Sequence, residues 1–218
     1  MKKNTSLLLV MLLCTAGTLW AEPPHQKALD IAEQEWIRFG QQSLDADGKL
    51  TKRGGRENEE GYYLRVADYW KQGVDRDLTG KDQHEPWSAA FISWVMKQAG
   101  MGERFSYSDW HATYIRNSIL ARRAEDRQFA YWGYRLKERA PQVGDLVGYA
   151  RQGGIDYDYQ PTVYSSHTDL VVAVRPGEID VIGGNVQDSV SKKTLRTDKD
   201  GLLIDDHYRW FVVMAPNP

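Results

Sequence analysis

Three features of this chain have residue types and spacing suited to acyl transfer. Ser88 lies in His84-Glu85-Pro86-Trp87-Ser88-Ala89-Ala90-Phe91. The segment reads as the start of a helix, where unpaired first-turn N–H groups and the helix dipole favour developing negative charge. Downstream, Ser165-Ser166-His167-Thr168-Asp169 leads into a strand. Residues two apart on a strand share a face, so His167 and Asp169 are expected to point the same way. Asn185 follows Gly183-Gly184, where glycines allow close backbone approach. A serine hydroxyl is too weak an acid to ionise by itself, so a neutral imidazole must take its proton during attack. Beside this stands a plainer reading, with Ser88 as a helix-start serine satisfying a backbone N–H, His167 as a hydrogen-bonded structural histidine and Asn185 as a turn residue. His84 and His111 are candidate substrate contacts, His84 also as an oxyanion donor, although His111 sits one turn before Ile115 and also fits half-buried packing. Trp87 belongs to an apolar cluster with Phe91 and Trp94, and is the member expected to edge a cleft.

Other signatures drop out. His25, His84, His111, His167 and His207 are scattered, with no His-Glu-x-x-His, so no metal is expected. Asp45, Asp47 and Gly48 lack the closing glutamate of a calcium loop. Ser189-x-x-Lys192 lies in strand-like sequence rather than at a helix start. There is no Gly-x-Ser-x-Gly elbow and no phosphate or dinucleotide loop, so no cofactor is expected.

The elements that must position these groups divide the chain in two. Leu29, Ala32, Trp36 and Phe39 predict a helix over 25–39, and Tyr62, Val66, Tyr69 and Trp70 another over 59–72. The stretch Asp45 to Arg56 between them reads as a polar loop. A third helix is expected with Pro86 in its first turn and Gly100 at its stop, and a fourth from the N-cap candidate Ser108 toward Arg122. Beyond about residue 130 the period shortens. Strands are predicted at Asp145 to Arg151, Thr168 to Val174, Glu178 to Ile182 and Tyr208 to Met214, with Arg175-Pro176-Gly177 a hairpin turn. Helices first and strands later imply an α+β fold, N-terminal helices packed on an antiparallel sheet. The long stretch Gln152 to Ser166 fits either a substrate wall or a solvated loop.

With 218 residues, 41% apolar and 27% charged, the chain can build one core, which excludes a disordered or repeat architecture. Net charge −2 offers no basic field for nucleic acid. Lys2 and Lys3, the apolar run Leu7 to Cys14, and Leu19-Trp20-Ala21 before Glu22-Pro23-Pro24 read as a signal peptide over 1–21, too short in its apolar run for a stable membrane span. Its removal would take the single cysteine, Cys14, leaving no thiol nucleophile and no disulfide. The expected organisation is a signal peptide at 1–21, an N-terminal helix and polar loop at 22–58, and the main domain at 59–218. The protein is expected to be exported, periplasmic or secreted.

Pro86-Trp87-Ser88-Ala89-Ala90-Phe91, Pro141-x-x-Gly144-Asp145-Leu146-Val147, Ser166-His167 and Gly183-Gly184-Asn185-Val186 together resemble an uncharacterised bacterial domain family grouped with the CHAP and NlpC-type papain-like cell-wall peptidases. The similarity covers roughly residues 60 to 215. It implies a papain-like fold with Ser88 at the nucleophile position in place of the usual cysteine, His167 as base, and Asn185 as orienter, with Asp169 the other candidate for that role. The implied function is an exported amide-bond hydrolase, endopeptidase or amidase, acting on peptidoglycan peptides. A cell-wall-targeting effector, met by an inhibitor or immunity protein, is one form of that role. The alternative is an inactive papain-like module that binds cell-wall peptide or a protein partner.

Overall fold

The computed structural model describes residues 23–82 and 84–217. The signal-peptide expectation and Cys14 lie outside the described residues. Helix α1 (Pro24–Arg38) is followed by the short strands β1 (Gln42–Leu44) and β2 (Leu50–Lys52), then α2 (Tyr63–Asp68), which runs on into a π-helical turn at Tyr69–Gly73. Helix α3 (Ser88–Gln98) and helix α4 (His111–Arg123) complete the helical half. The remaining strands are β3 (Tyr131–Tyr134), β4 (Leu146–Ala150), β5 (Ser166–Arg175), β6 (Glu178–Gly183), β7 (Ser191–Arg196) and β8 (Arg209–Pro216). They form one sheet in the order β2-β1-β7-β6-β5-β4-β8-β3. Every neighbouring pair is antiparallel except β1 with β7, which is parallel. The fold is α+β. Among the described residues, no helix is long and apolar enough to cross a membrane.

Local chemistry accounts for the boundaries. Helix α3 stops where Gly100 takes φ 86° and the Met101 N–H closes onto the Met96 carbonyl at 3.1 Å, a Schellman-type end that glycine accommodates without strain. Pro86 lies two residues ahead of α3, and Ser108 lies ahead of α4, accepting from the Trp110 N–H at 3.0 Å rather than capping the helix. Pro176-Gly177 makes the β5–β6 hairpin, with Arg175 opposite Glu178. Part of the polar stretch 45–56 is strand, since β2 pairs with β1 there. Residues 42–52 thus extend the same sheet as the rest.

The sheet has two buried faces. Leu146, Ala150, Leu170 and Ile182 pack with the helices in the larger core. Their neighbours Val147, Tyr149, Val171 and Val181 point the other way and pack with Leu195, Leu203 and Trp210. Burial on both sides follows from the period of two and decides which side chains can meet the helices.

The N-terminal helix is tied down by charge as well as by packing. Glu35 on α1 accepts two hydrogen bonds from Arg65, both 2.8 Å, and a third from the Tyr69 hydroxyl. This bidentate pairing engages Arg65 within the fold.

Candidate active site

Ser88 is the first residue of α3, and no side chain caps that helix start. The Ser88 hydroxyl meets His111 Nε2 at 2.7 Å. His111 is itself the first residue of α4, so two helix starts face each other across the pocket. The other nitrogen, Nδ1, lies 2.7 Å from Thr168 Oγ1 and also hydrogen-bonds the Tyr114 hydroxyl, and those two hydroxyls are 3.0 Å apart. Ser88 and His111 are both 4% exposed and line a pocket of about 70 Å³ together with Arg151, Tyr164, Ser165 and Ser166. Burial holds His111 well below the ordinary histidine value of 6.5, with the nearby His167 and Arg151 adding to the effect. The ring is therefore neutral at pH 7, as proton abstraction from a serine requires.

His167 and Asp169 share a face, as the strand period requires, and His167 Nε2 is 2.9 Å from Asp169 Oδ1. The face is the one turned away from the helices. His167 stands opposite Tyr149 and Asp169 opposite Val147, whereas Thr168 stands opposite Gly148 and reaches back to His111. Arginine has no lone pair to offer, so the 3.2 Å contact from Arg151 to His167 Nδ1 makes that nitrogen the acceptor. The remaining ring proton is on Nε2 and is donated to Asp169. Both nitrogens of His167 are thus engaged. The hydrogen bond expected between Ser88 and His167 is made by His111 instead, because one step along the strand swaps the face.

Asp169 accepts in turn from Lys193 at 2.7 Å, through its second oxygen. Although burial alone would raise the Asp169 carboxyl, Lys193 and His167 hold it well below the usual carboxylate range. Burial lowers His167 despite the opposing pull of Asp169. Gly183 leaves room for the chain. A Cβ there would lie 2.0 Å from Asp169 Oδ1 and 3.0 Å from His167 Nε2, and one on Gly184 would lie 2.6 Å from Phe91. The two glycines let β6 close onto these side chains and onto α3.

Asn185 takes a left-handed conformation at φ 54°. In the amide orientation that satisfies both of its ends, it accepts from the Trp87 N–H at 3.2 Å and donates to Glu57 Oε2 at 3.1 Å. Its hydrogen bonds thus anchor the approach to α3 rather than orient a histidine. Trp87 is buried at 1% exposure, donates to Glu57 at 2.5 Å and stacks on Tyr69 at 5.6 Å. It belongs to the core and not to a cleft edge, because its indole is enclosed between these partners. His84 is exposed in the turn before α3 and is not among the pocket's lining residues.

The partners missed by sequence reading are Thr168 and Tyr114. Tyr114 stands three residues after His111, the helical spacing that brings side chains together, and that spacing was the available signal.

A model of the bacterial family described as "uncharacterized protein conserved in bacteria (DUF2272)" matches residues 74–215. The chain belongs to this family. The DUF2272 match spans Ser88, His111, Thr168 and Asn185, so the pocket lies wholly within the family's extent. No curated protein and no solved structure matches the chain.

Proposed function

We propose that this DUF2272 protein is an amide-bond hydrolase in which Ser88 attacks the carbonyl and His111 moves the proton. The observation that carries the reading is the 2.7 Å contact between Ser88 Oγ and a neutral His111 Nε2 at the edge of a pocket. His111 Nε2 takes the hydroxyl proton as Oγ bonds to the carbonyl carbon, then gives it to the leaving amine as the acyl-enzyme forms. Water repeats the sequence in reverse to release the acid. The uncapped first-turn N–H groups of α3 supply donors for the oxyanion. Thr168 and Tyr114 accept hydrogen bonds from Nδ1–H and hold the ring in the tautomer that leaves Nε2 free.

Peptidoglycan peptides are the proposed substrates. Support comes from the signal-like N-terminus and from the resemblance of the four motifs to a family grouped with the papain-like CHAP and NlpC peptidases, with His111 taking the role that the resemblance gives to His167. An antagonistic effector and a housekeeping hydrolase would use the same chemistry. The test is digestion of purified muropeptides read by mass. Products are expected from the native protein, and their absence from Ser88→Ala and from a folded His111→Gln. Unchanged products from Ser88→Ala would overturn the reading.

One feature favours a second reading, a binding module without turnover. The Nδ1 partners of His111 are hydroxyls rather than a carboxylate, so an imidazolium formed during attack is less stabilised than in a Ser-His-Asp triad. Binding of muropeptides with no product would select it.

A further inference from the structure

We infer that Arg151, Ser166 and Tyr164 form a carboxylate subsite beside Ser88, so that the ligand carries a free carboxylate close to the bond held over the serine. The inference deepens the hydrolase reading and rests on it for the position of the scissile bond. The subsite itself is argued from separate observations.

Two of the residues that line the Ser88 pocket carry buried hydroxyls with no hydrogen-bond partner, Tyr164 Oη and Ser166 Oγ. Tyr164 is 2% exposed and Ser166 is 9% exposed. A buried donor left unpaired costs about 1–3 kcal/mol, so the pair is suited to a ligand that accepts hydrogen bonds. Ser166 faces the helices for the same reason as Thr168, being two residues before it on β5.

Arg151 supplies the charge. It lines the same pocket and also a wider groove of about 490 Å³ containing Tyr149, Asn185, Gln187, Tyr208 and Arg209, so its side chain stands at the junction of the two. Among the described residues no carboxylate lies within 4.0 Å of its guanidinium, no Asp or Glu lines the groove, and the carboxylate that lines the Ser88 pocket, Asp109, is paired with Arg76 at 2.7 Å. Its side-chain partner is His167 Nδ1, a neutral acceptor backed by Asp169 and Lys193. That buried chain positions the guanidinium with one edge toward His167 and leaves other N–H groups for a ligand. A planar carboxylate matches that fork. The pocket's small volume suits a carboxylate, and the groove suits the rest of an extended chain.

The test uses binding, so it does not depend on turnover. Immobilised Ser88→Ala protein is equilibrated with a muropeptide mixture, before and after its carboxylates are converted to methylamides, and depletion of each species is read by mass. Free-carboxylate species are expected to bind about 10-fold or more tightly than their methylamides. Adding Arg151→Gln is expected to abolish the preference, Arg151→Lys to retain part of it, and Ser166→Ala to reduce it further than a distant surface change does. Each variant is checked for an unchanged melting temperature. Equal binding of the two mixtures, no binding of either, or a preference that survives Arg151→Gln would overturn the subsite. Hydrolysis by the native protein is scored separately. Turnover without carboxylate preference rejects the subsite alone, and preference without turnover rejects the hydrolase alone.

Discussion

Ser88 Oγ and His111 Nε2 meet at 2.7 Å although they come from the first residues of two different helices. The contact depends on α3 and α4 being packed against the same face of the sheet. If this pair performs the chemistry, Ser88→Ala should lower muropeptide turnover by about 10³-fold or more. His167→Gln should have a smaller effect on kcat, because its ring nitrogens face Arg151 and Asp169. A greater loss in kcat from a folded His167→Gln than from a folded His111→Gln would reverse the assignment.

The hydroxyls behind His111 can be tested as a pair. Thr168→Val or Tyr114→Phe alone leaves Nδ1 one partner, whereas the double variant removes both and frees the tautomer. We expect each single change to lower kcat modestly and the double change to lower it by more than the product of the two, with KM nearly constant. Independent, multiplicative effects would argue that the hydroxyls do not share the ring.

Acid should weaken the fold in two stages. His111 and His167 are both held below 6.5, with burial the first cause. In the unfolded chain they protonate near that value, so the unfolded state binds more protons as pH falls and stability declines below about pH 6.5. Asp169 has a depressed carboxyl, so its contribution is present above 3.8 and is lost as pH falls through its folded value. Glu57 and Asp145 are raised by burial above 4.5 and 3.8 and act with the opposite sign, their contribution being lost as pH rises through the raised values. Denaturation midpoints are expected to fall from pH 7 to pH 5. A flat profile there would contradict the neutral, buried histidines. Turnover, by contrast, should persist below pH 6.5 while the fold holds, because His111 remains unprotonated.

The buried ion pair gives a stability test. Asp169→Asn leaves the Lys193 ammonium without its carboxylate in a site with a few per cent exposure, and breaking such a pair costs about 3–5 kcal/mol. Asp169→Asn with Lys193→Met should cost less than the sum of the single changes in chemical denaturation. Additive costs would mean that the two groups do not interact.

Close approach at β6 makes the last prediction. A methyl on Gly183 would overlap Asp169 Oδ1, and overpacking of this kind costs about 1–3 kcal/mol. Gly183→Ala is expected to lower the melting temperature, and Gly153→Ala, where a Cβ would make only an ordinary contact with Arg209 Nη1 at 3.5 Å, offers a comparison free of steric overlap.

Much of the architecture was legible because its signals are local. The four helices, the strands at 145–151, 168–174, 178–182 and 208–214, and the Pro176-Gly177 turn have apolar periods and punctuation within a few residues. Strand β7 was missed because its inward positions are Ser191, Lys193 and Leu195. A buried lysine breaks the apolar pattern, and its partner Asp169 lies 24 residues away. Strands β1 and β2 are three residues each, too short to show a period.

At the candidate site, the primary structure by itself determined that Ser88 would open a helix and that His167 and Asp169 would share a face, since both follow from short-range geometry. Which imidazole meets the serine was decided by tertiary packing. Sequence parity states that Thr168 and His167 face opposite sides of the sheet, but not which side the helices cover. That choice comes from burying Leu146, Ala150 and Leu170 against α3 and α4, a long-range apolar contact that carries Thr168 and Ser166 to the Ser88 pocket and leaves the His167 nitrogens turned to Arg151 and Asp169, with its ring 5.0 Å from that of His111.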